Sequence, residues 1–220
     1  MIVTRTLLAL GMVAAVVLVG CKQPVGMPNR NIHAASTVVD TCFVATDTAL
    51  SGHVDWYQTG LMSEYYTRSI PLIKRGYVDS AGLQHPRMNG FCTFEVPYFD
   101  PGGNIPECTL HYYQSAHNGS ADLRVNHASS IEYWPGVTDG TLFWATWNDE
   151  PIIATDAAQS RDGWHTVLLT EEGCGAVLER AGSFLLTGWT YRGNVSGTYA
   201  DVIGTGANAP FIVFVYDASK

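Results

Sequence analysis

The chain has 220 residues, with 12 Lys plus Arg against 20 Asp plus Glu, 15% charged residues, 22 glycines, 10 prolines and 11 tyrosines. The acidic balance repels phosphate backbones and anionic lipid surfaces, which argues against nucleic-acid binding and against a basic membrane-binding face. A charge-poor, glycine- and tyrosine-rich composition predicts a turn-rich β protein in preference to a helical one.

At the N-terminus one basic residue, Arg5, precedes an apolar stretch from Leu7 to Val19, which Lys22 and Gln23 end abruptly. That length suits the hydrophobic region of a signal peptide and falls short of the ~20 residues of a membrane-spanning helix. Leu18-Val19-Gly20-Cys21 resembles the lipobox of bacterial lipoproteins. The resemblance implies a diacylglycerol on the Cys21 thiol, cleavage before Cys21 and acylation of the new amine, so that the chain meets its membrane through lipid. Lys22 stands where an Asp commonly retains such proteins at the inner membrane, which favours the outer membrane or outer surface. Residues 1–20 are then the signal peptide. Residues 21–36, polar and carrying Pro24 and Pro28 without an apolar period, are a tether, and residues 37–220 are one folded domain. Loss of Arg5 with the signal leaves 11 basic against 20 acidic side chains, a formal charge of −9. The remaining 200 residues suffice for a substantial core.

Beyond the tether, segments with strand character recur between turn signals: Thr37 to Thr46, Gly76 to Asp79, Gly90 to Val96, Cys108 to Tyr113, Ala121 to Asn126, Gly140 to Trp147, Trp164 to Leu169, Ser183 to Tyr191, Tyr199 to Ile203 and Phe211 to Tyr216. Asp100-Pro101-Gly102-Gly103, Asn118-Gly119, Asp139-Gly140 and Asp162-Gly163 supply tight reversals between them. This spacing predicts an all-β fold, a single jelly-roll-like antiparallel sandwich. One short helix is expected, over residues 176–181.

With Cys21 lipidated, four cysteines remain, Cys42, Cys92, Cys108 and Cys174, and an even number in an exported chain makes all four disulfide candidates with three possible connectivities. Cys92 alternates with Phe94 and Val96, and Cys108 with Leu110 and Tyr112, so both point inward. That parity suggests a Cys92–Cys108 bond, with Cys42–Cys174 as its complement. The alternative is buried thiols acting as small hydrophobes. No close Cys-x-x-Cys spacing suggests zinc.

The succession Arg75-Gly76-Tyr77-Val78-Asp79, Gly90-Phe91-Cys92-Thr93-Phe94-Glu95-Val96, Asn104-Ile105-Pro106-Glu107-Cys108-Thr109-Leu110-His111-Tyr112 and Ala209-Pro210-Phe211-Ile212-Val213-Phe214-Val215-Tyr216 resembles the DNRLRE-type jelly-roll sandwich, a secreted bacterial module akin to carbohydrate-binding modules. Asp162-Gly163-Trp164-His165-Thr166-Val167 and Phe184-Leu185-Leu186-Thr187-Gly188-Trp189 match its later elements. Glu95 stands where that family usually has Asp, Cys108 where it has Ala, and Phe211 where it has Tyr. The resemblance covers residues 75–217 and bears on fold more than on activity; residues 37–74 are expected to hold a first strand and an embellishing loop.

Motifs for catalysis dissolve on inspection. Gly204-Thr205-Gly206-Ala207-Asn208-Ala209 fits a dinucleotide fingerprint, yet Pro210 and a β-branched strand follow where a helix is needed. Ser196 in Gly193-Asn194-Val195-Ser196-Gly197 lacks the Gly-x-Ser-x-Gly spacing of a nucleophile elbow. The pairs Asp149/Glu150 and Glu171/Glu172 are adjacent acids that ordinarily solvate loops, although glycoside hydrolysis does need two carboxyls. His111, His117 and His127 have no standard ligand spacing, so no metal and no cofactor is expected.

Aromatics remain as the functional lead. Trp56, Tyr57, Tyr65 and Tyr66 crowd the early segment, and Tyr133, Trp134, Trp144 and Trp147 surround a mid-chain hairpin. Aromatic faces stack on the C–H face of a pyranose. Strand parity puts Phe143 with Trp147 on one face and Leu142, Trp144 and Thr146 on the other. The candidate ligand-binding residues are Trp144, Trp134, Tyr133, Trp56 and Tyr57. The expected function is that of a non-catalytic surface lipoprotein binding a polysaccharide or mediating adhesion. The alternatives are an envelope assembly component with a protein partner and, third, a glycoside-active enzyme.

Overall fold

Buried side chains alternate with more exposed ones over residues 107–114 and along Gly163–Leu168. The computed structural model describes residues 39–59, 62–69, 72–77, 87–98, 107–118, 121–131, 137–159, 162–192 and 199–217. Cys21, the tether, Tyr133, Trp134 and Ser196 lie outside them, as does the side chain of Cys42. The described elements are β1 (Val39–Thr59), β2 (Met62–Arg68), β3 (Leu72–Tyr77), β4 (Arg87–Val96), β5 (Glu107–Asn118), β6 (Ala121–His127), α1 (Asp139–Asn148), β7 (Ile152–Gln159), β8 (Gly163–Leu168), α2 (Glu171–Glu179), β9 (Ser183–Arg192), β10 (Tyr199–Ile203) and β11 (Phe211–Asp217).

The fold is an all-β antiparallel sandwich. One layer runs β2–β1–β4–β9–β6–β7; in the other, β8 and β11 flank β5, and β10 pairs both β5 and β3. Long β1 serves both layers, pairing β11 over Val39 to Ala45 and β4 over Ala45 to Trp56. Three extra residues of β1 stand opposite β4 between Asp47 and Gly52, and there the Thr93 N–H donates to Ser51 Oγ at 3.4 Å. Between the layers lies the main core, including Phe94, Leu110, Tyr112, Leu123, Ile153, Leu185, Trp189 and Phe214. Full burial of each aliphatic or Phe side chain contributes about 1.5–3 kcal/mol.

A second, smaller core covers the outer face of the first layer, where α1 packs Leu142 and Phe143 onto Val54, Phe91 and Leu186. This explains why β4 is buried on both faces: Cys92 and Phe94 point between the layers, while Phe91 lies under α1. The strand expected over Gly140 to Trp147 is therefore a helix. Thr138 caps it by accepting from the Thr141 N–H, and Leu142, Phe143, Ala145 and Thr146 are buried together, a pattern that alternation cannot produce and a 3.6-residue period does. Asn89 and Asn126 donate from their side-chain amides to the carbonyls of Phe143 and Ala145, each at 3.1 Å. A Cβ at Gly188 would run into the backbone of Thr146, so glycine is what lets α1 lie directly on β9.

The helix expected over residues 176–181 begins earlier, at Glu171, because Thr170 is its N-cap: Oγ1 accepts from the Gly173 N–H at 2.9 Å and donates to the Ile152 carbonyl at 2.8 Å. Two strands go beyond the sequence expectation, β2, where an embellishing loop is expected, and β7. Cys92, Cys108 and Cys174 stand as buried thiols, so the Cys92–Cys108 bond is not formed. Parity correctly sends both side chains into the core, but β4 and β5 belong to different layers, and Cys108 has Cys174 among its partners there.

Candidate functional site

Two aromatic surfaces emerge from this architecture. The first is the shoulder made by α1 and the β1–β2 hairpin. Phe143 is its hub: Trp56, Tyr65, Trp144 and Trp147 all contact the Phe143 ring, at centroid distances of 5.9, 5.3, 5.4 and 6.2 Å. Trp144 leaves 49% of its surface exposed, because on a helix it points opposite to the buried face. The Arg87 guanidinium lies 5.2 Å from the Trp56 ring and 5.8 Å from that of Trp147, a cation–π clamp between two half-buried indoles. Asp139 anchors the helix to the hairpin by accepting from the Thr67 hydroxyl at 2.7 Å and its N–H at 3.2 Å. Trp56 and Trp144 thus meet through Phe143. Tyr57 packs instead against Tyr66, whose hydroxyl pKa the hydrogen-bonded Glu64 carboxylate raises.

The second surface lies on the outer face of the other layer. Register aligns Tyr113 with Trp164, His111 with Thr166 and Phe211, and Thr109 with Leu168 and Val213. Their side chains form a strip across β8, β5 and β11. Trp164 meets Tyr113 edge-on at 5.7 Å and Phe211 at 5.8 Å, and Phe211 stacks on His111 at 4.7 Å and 6°. Trp164 is 44% exposed and Leu168 60% exposed.

Polar groups border these rings. His111 is bracketed by hydroxyls, Thr109 Oγ1 at 3.0 Å from Nε2 and Thr166 Oγ1 at 3.0 Å from Nδ1, while burial lowers its pKa below 6.5 and favours the neutral ring. Beyond Trp164, His117 Nδ1 and the Asp162 carboxylate meet at 2.7 Å with both groups partly exposed. Beneath the strip, the inward side chains Tyr112 of β5 and His165 of β8 meet Asp156 of β7. Tyr112 donates to Asp156 at 2.9 Å and stacks on His165, whose Nδ1 lies 3.3 Å from the same carboxylate.

Comparison with models of known protein families gives no match, and comparison with curated proteins gives none. Exposed rings with hydroxyl, imidazole and carboxylate groups at their margin suit a ligand that has both an apolar face and a hydrogen-bonding rim.

The carboxylate pairs have structural partners. Asp149 accepts from the Ser130 N–H at 2.8 Å and Glu150 pairs with Arg124 at 2.8 Å, while Glu171 and Glu172 occupy the first turn of α2, where the helix dipole favours negative charge. His111, His117 and His127 do not converge, and among the described residues no group of three His, Cys, Asp or Glu side chains is placed to hold a metal. The Gly204 to Ala209 segment is a loop with a short 3-10 turn between β10 and β11, so it opens no helix for a pyrophosphate.

The Trp164 strip is absent from the sequence expectation because its rings come from β5, β8 and β11, strands far apart in the chain. Parity does place Tyr113 with His111, and Trp164 with Leu168, but only the register shows that the two sets share a face.

Proposed function

We propose that the chain is a lipid-anchored, exported glycan-binding module whose binding face is the aromatic strip of Tyr113, Trp164, Phe211 and His111. The observation that carries this reading is Trp164, a large apolar ring 44% exposed on the outer sheet face and contacted edge-on by Tyr113 and Phe211. The neighbouring rings restrain its rotation, so little side-chain entropy is lost when a sugar stacks on it. Thr166 and the His117–Asp162 pair supply donors and acceptors for hydroxyls at its margin. Trp144 offers a second exposed ring on the α1 shoulder, without a comparable row of neighbours on one sheet face. Cys21, in Leu18-Val19-Gly20-Cys21, supplies the lipid anchor of this reading, and residues 21–36 hold the sandwich off the outer membrane or outer surface.

Retention of the purified chain on a panel of polysaccharides tests the sugar reading. Stacking worth about 1–1.5 kcal/mol corresponds to roughly tenfold in affinity, so Trp164→Ala is expected to lose about tenfold or more. Trp144→Ala is expected to change it little. Labelling with radioactive palmitate tests the anchor: Cys21→Ala should abolish incorporation, and undiminished labelling would remove Cys21 from the account.

A second reading, an envelope assembly component bound to a protein partner, is favoured by Leu168. At 60% exposure on β8, which pairs only with β5 among the described strands, it presents apolar surface that a sugar has no use for. Crosslinking on intact cells separates the two readings: one stoichiometric protein partner attached through β8 supports assembly, and polysaccharide-dependent capture without such a partner supports glycan binding.

A further inference from the structure

We propose that Cys108 and Cys174 are the sites of an intrachain disulfide that ties β5 to α2. The two thiols are hydrogen-bonded to one another and lie in the same apolar core. Two backbone features bring these distant residues together. The Leu169 N–H donates to the Cys108 carbonyl at 2.9 Å, which pins the end of β8 to the start of β5. Thr170 follows at once as the N-cap of α2, and the first turn carries Cys174 to the buried side of the helix, its N–H bonded to the Thr170 carbonyl at 2.9 Å. Cys108 is fully buried and Cys174 nearly so, so neither is arranged as an accessible nucleophile. Two thiols in contact inside a core need only a small approach and the loss of two hydrogens to become a cystine.

The oxidant required is another disulfide, of the glutathione or protein dithiol class. Cys174, as thiolate, attacks one sulfur of that disulfide; a mixed disulfide forms, and one oxidant thiol leaves with the proton. Cys108 then loses its proton, attacks the Cys174 sulfur and displaces the second oxidant thiol. Two protein thiols give up two electrons and two protons, and one oxidant disulfide becomes two thiols. The order of attack can equally be reversed, because the contact that distinguishes the two thiols forms only once α2 docks. Since both side chains are buried in the folded chain, the reaction takes place before α2 docks. The inference rests on the export reading only for the source of the oxidant in the cell; the pairing itself rests on the fold.

The full chain, unfolded with reductant and refolded in mixed oxidised and reduced glutathione, is alkylated, digested without reduction and mapped by mass. The expected result is the Cys108 peptide joined to the Cys174 peptide. Its heat-unfolding midpoint should lie on the order of 10 °C above that of the same chain refolded under reductant. Alkylation of both cysteines, or a bond from either to Cys42 or Cys92, overturns the assignment. The double variant Cys108→Ala/Cys174→Ala should lose the redox dependence of the midpoint; persistence of that dependence overturns it too. Mapping of the chain recovered from cells is a separate arm: thiols there, with the bond forming in the refolded sample, contradict export and leave the pairing standing.

Discussion

Gly188 carries more of the architecture than its size suggests, because the backbone of α1 rests on it at Thr146 with no room for a Cβ. Gly188→Ala is expected to push α1 off β9 and cost about 1–3 kcal/mol in urea unfolding, as overpacking does elsewhere. Unchanged stability would show that α1 is not seated on that strand. The burial of His111 and His127 makes the fold sensitive to acid. Burial lowers both pKa values below 6.5, and at His127 Arg180 adds to the effect against the weaker pull of Glu179 and Asp149. The folded state therefore binds fewer protons than the unfolded state near and below that value. The contribution of the neutral rings is full above pH 6.5 and is lost as pH falls toward the folded-state pKa values, where the loss levels off. The urea midpoint should be flat above about pH 7.5 and fall toward about pH 5, and His127→Gln should shallow that slope. At this scale the sequence is only partly legible. The inward direction of Cys92 and Cys108 follows from alternation, but the neighbour across the core depends on which strands share a layer.

The helices show where local signals mislead. Asp139-Gly140 has the composition of a hairpin turn, yet Asp139 is the first helical residue, and its carboxylate accepts twice from Thr67 of β2. The β-rich content of Leu142 to Trp147 points to a strand. What overrides it is the Thr138 cap together with tertiary contacts, two asparagine side chains on the helix carbonyls and an aromatic hub at Phe143. β7 escapes notice because Ala154, Asp156, Ala157 and Ala158 give little β-propensity, and β2 because its side chains are mostly exposed. The two caps make a graded prediction. Thr138→Ala should cost about 1 kcal/mol, the usual value of a lost N-cap. Thr170→Ala should cost more, because Thr170 also satisfies the Ile152 carbonyl; equal costs in thermal or urea unfolding would contradict that ranking.

Over the whole molecule, β1 and the pairing of β3 with β4 hold the two layers together and α1 closes the outer face of the first, leaving the outer face of β8, β5 and β11 as a sheet surface with exposed rings. The all-β sandwich was legible in the spacing of strands and turns, because period-two patterning and Gly-rich reversals are local. The aromatic strip was not, because it is built by the register of three strands that only the completed fold sets side by side. A lipid at Cys21 and a tether would present that strip away from the membrane, consistent with a module that captures material outside the cell. The most direct test is quantitative retention of the purified chain and its Trp164→Ala and Trp144→Ala variants on a polysaccharide panel. The account predicts retention on at least one polysaccharide, weakened about tenfold or more by Trp164→Ala with the fold intact by circular dichroism, and little affected by Trp144→Ala. Absence of retention on every polysaccharide, or retention that Trp164→Ala leaves unchanged, would contradict it.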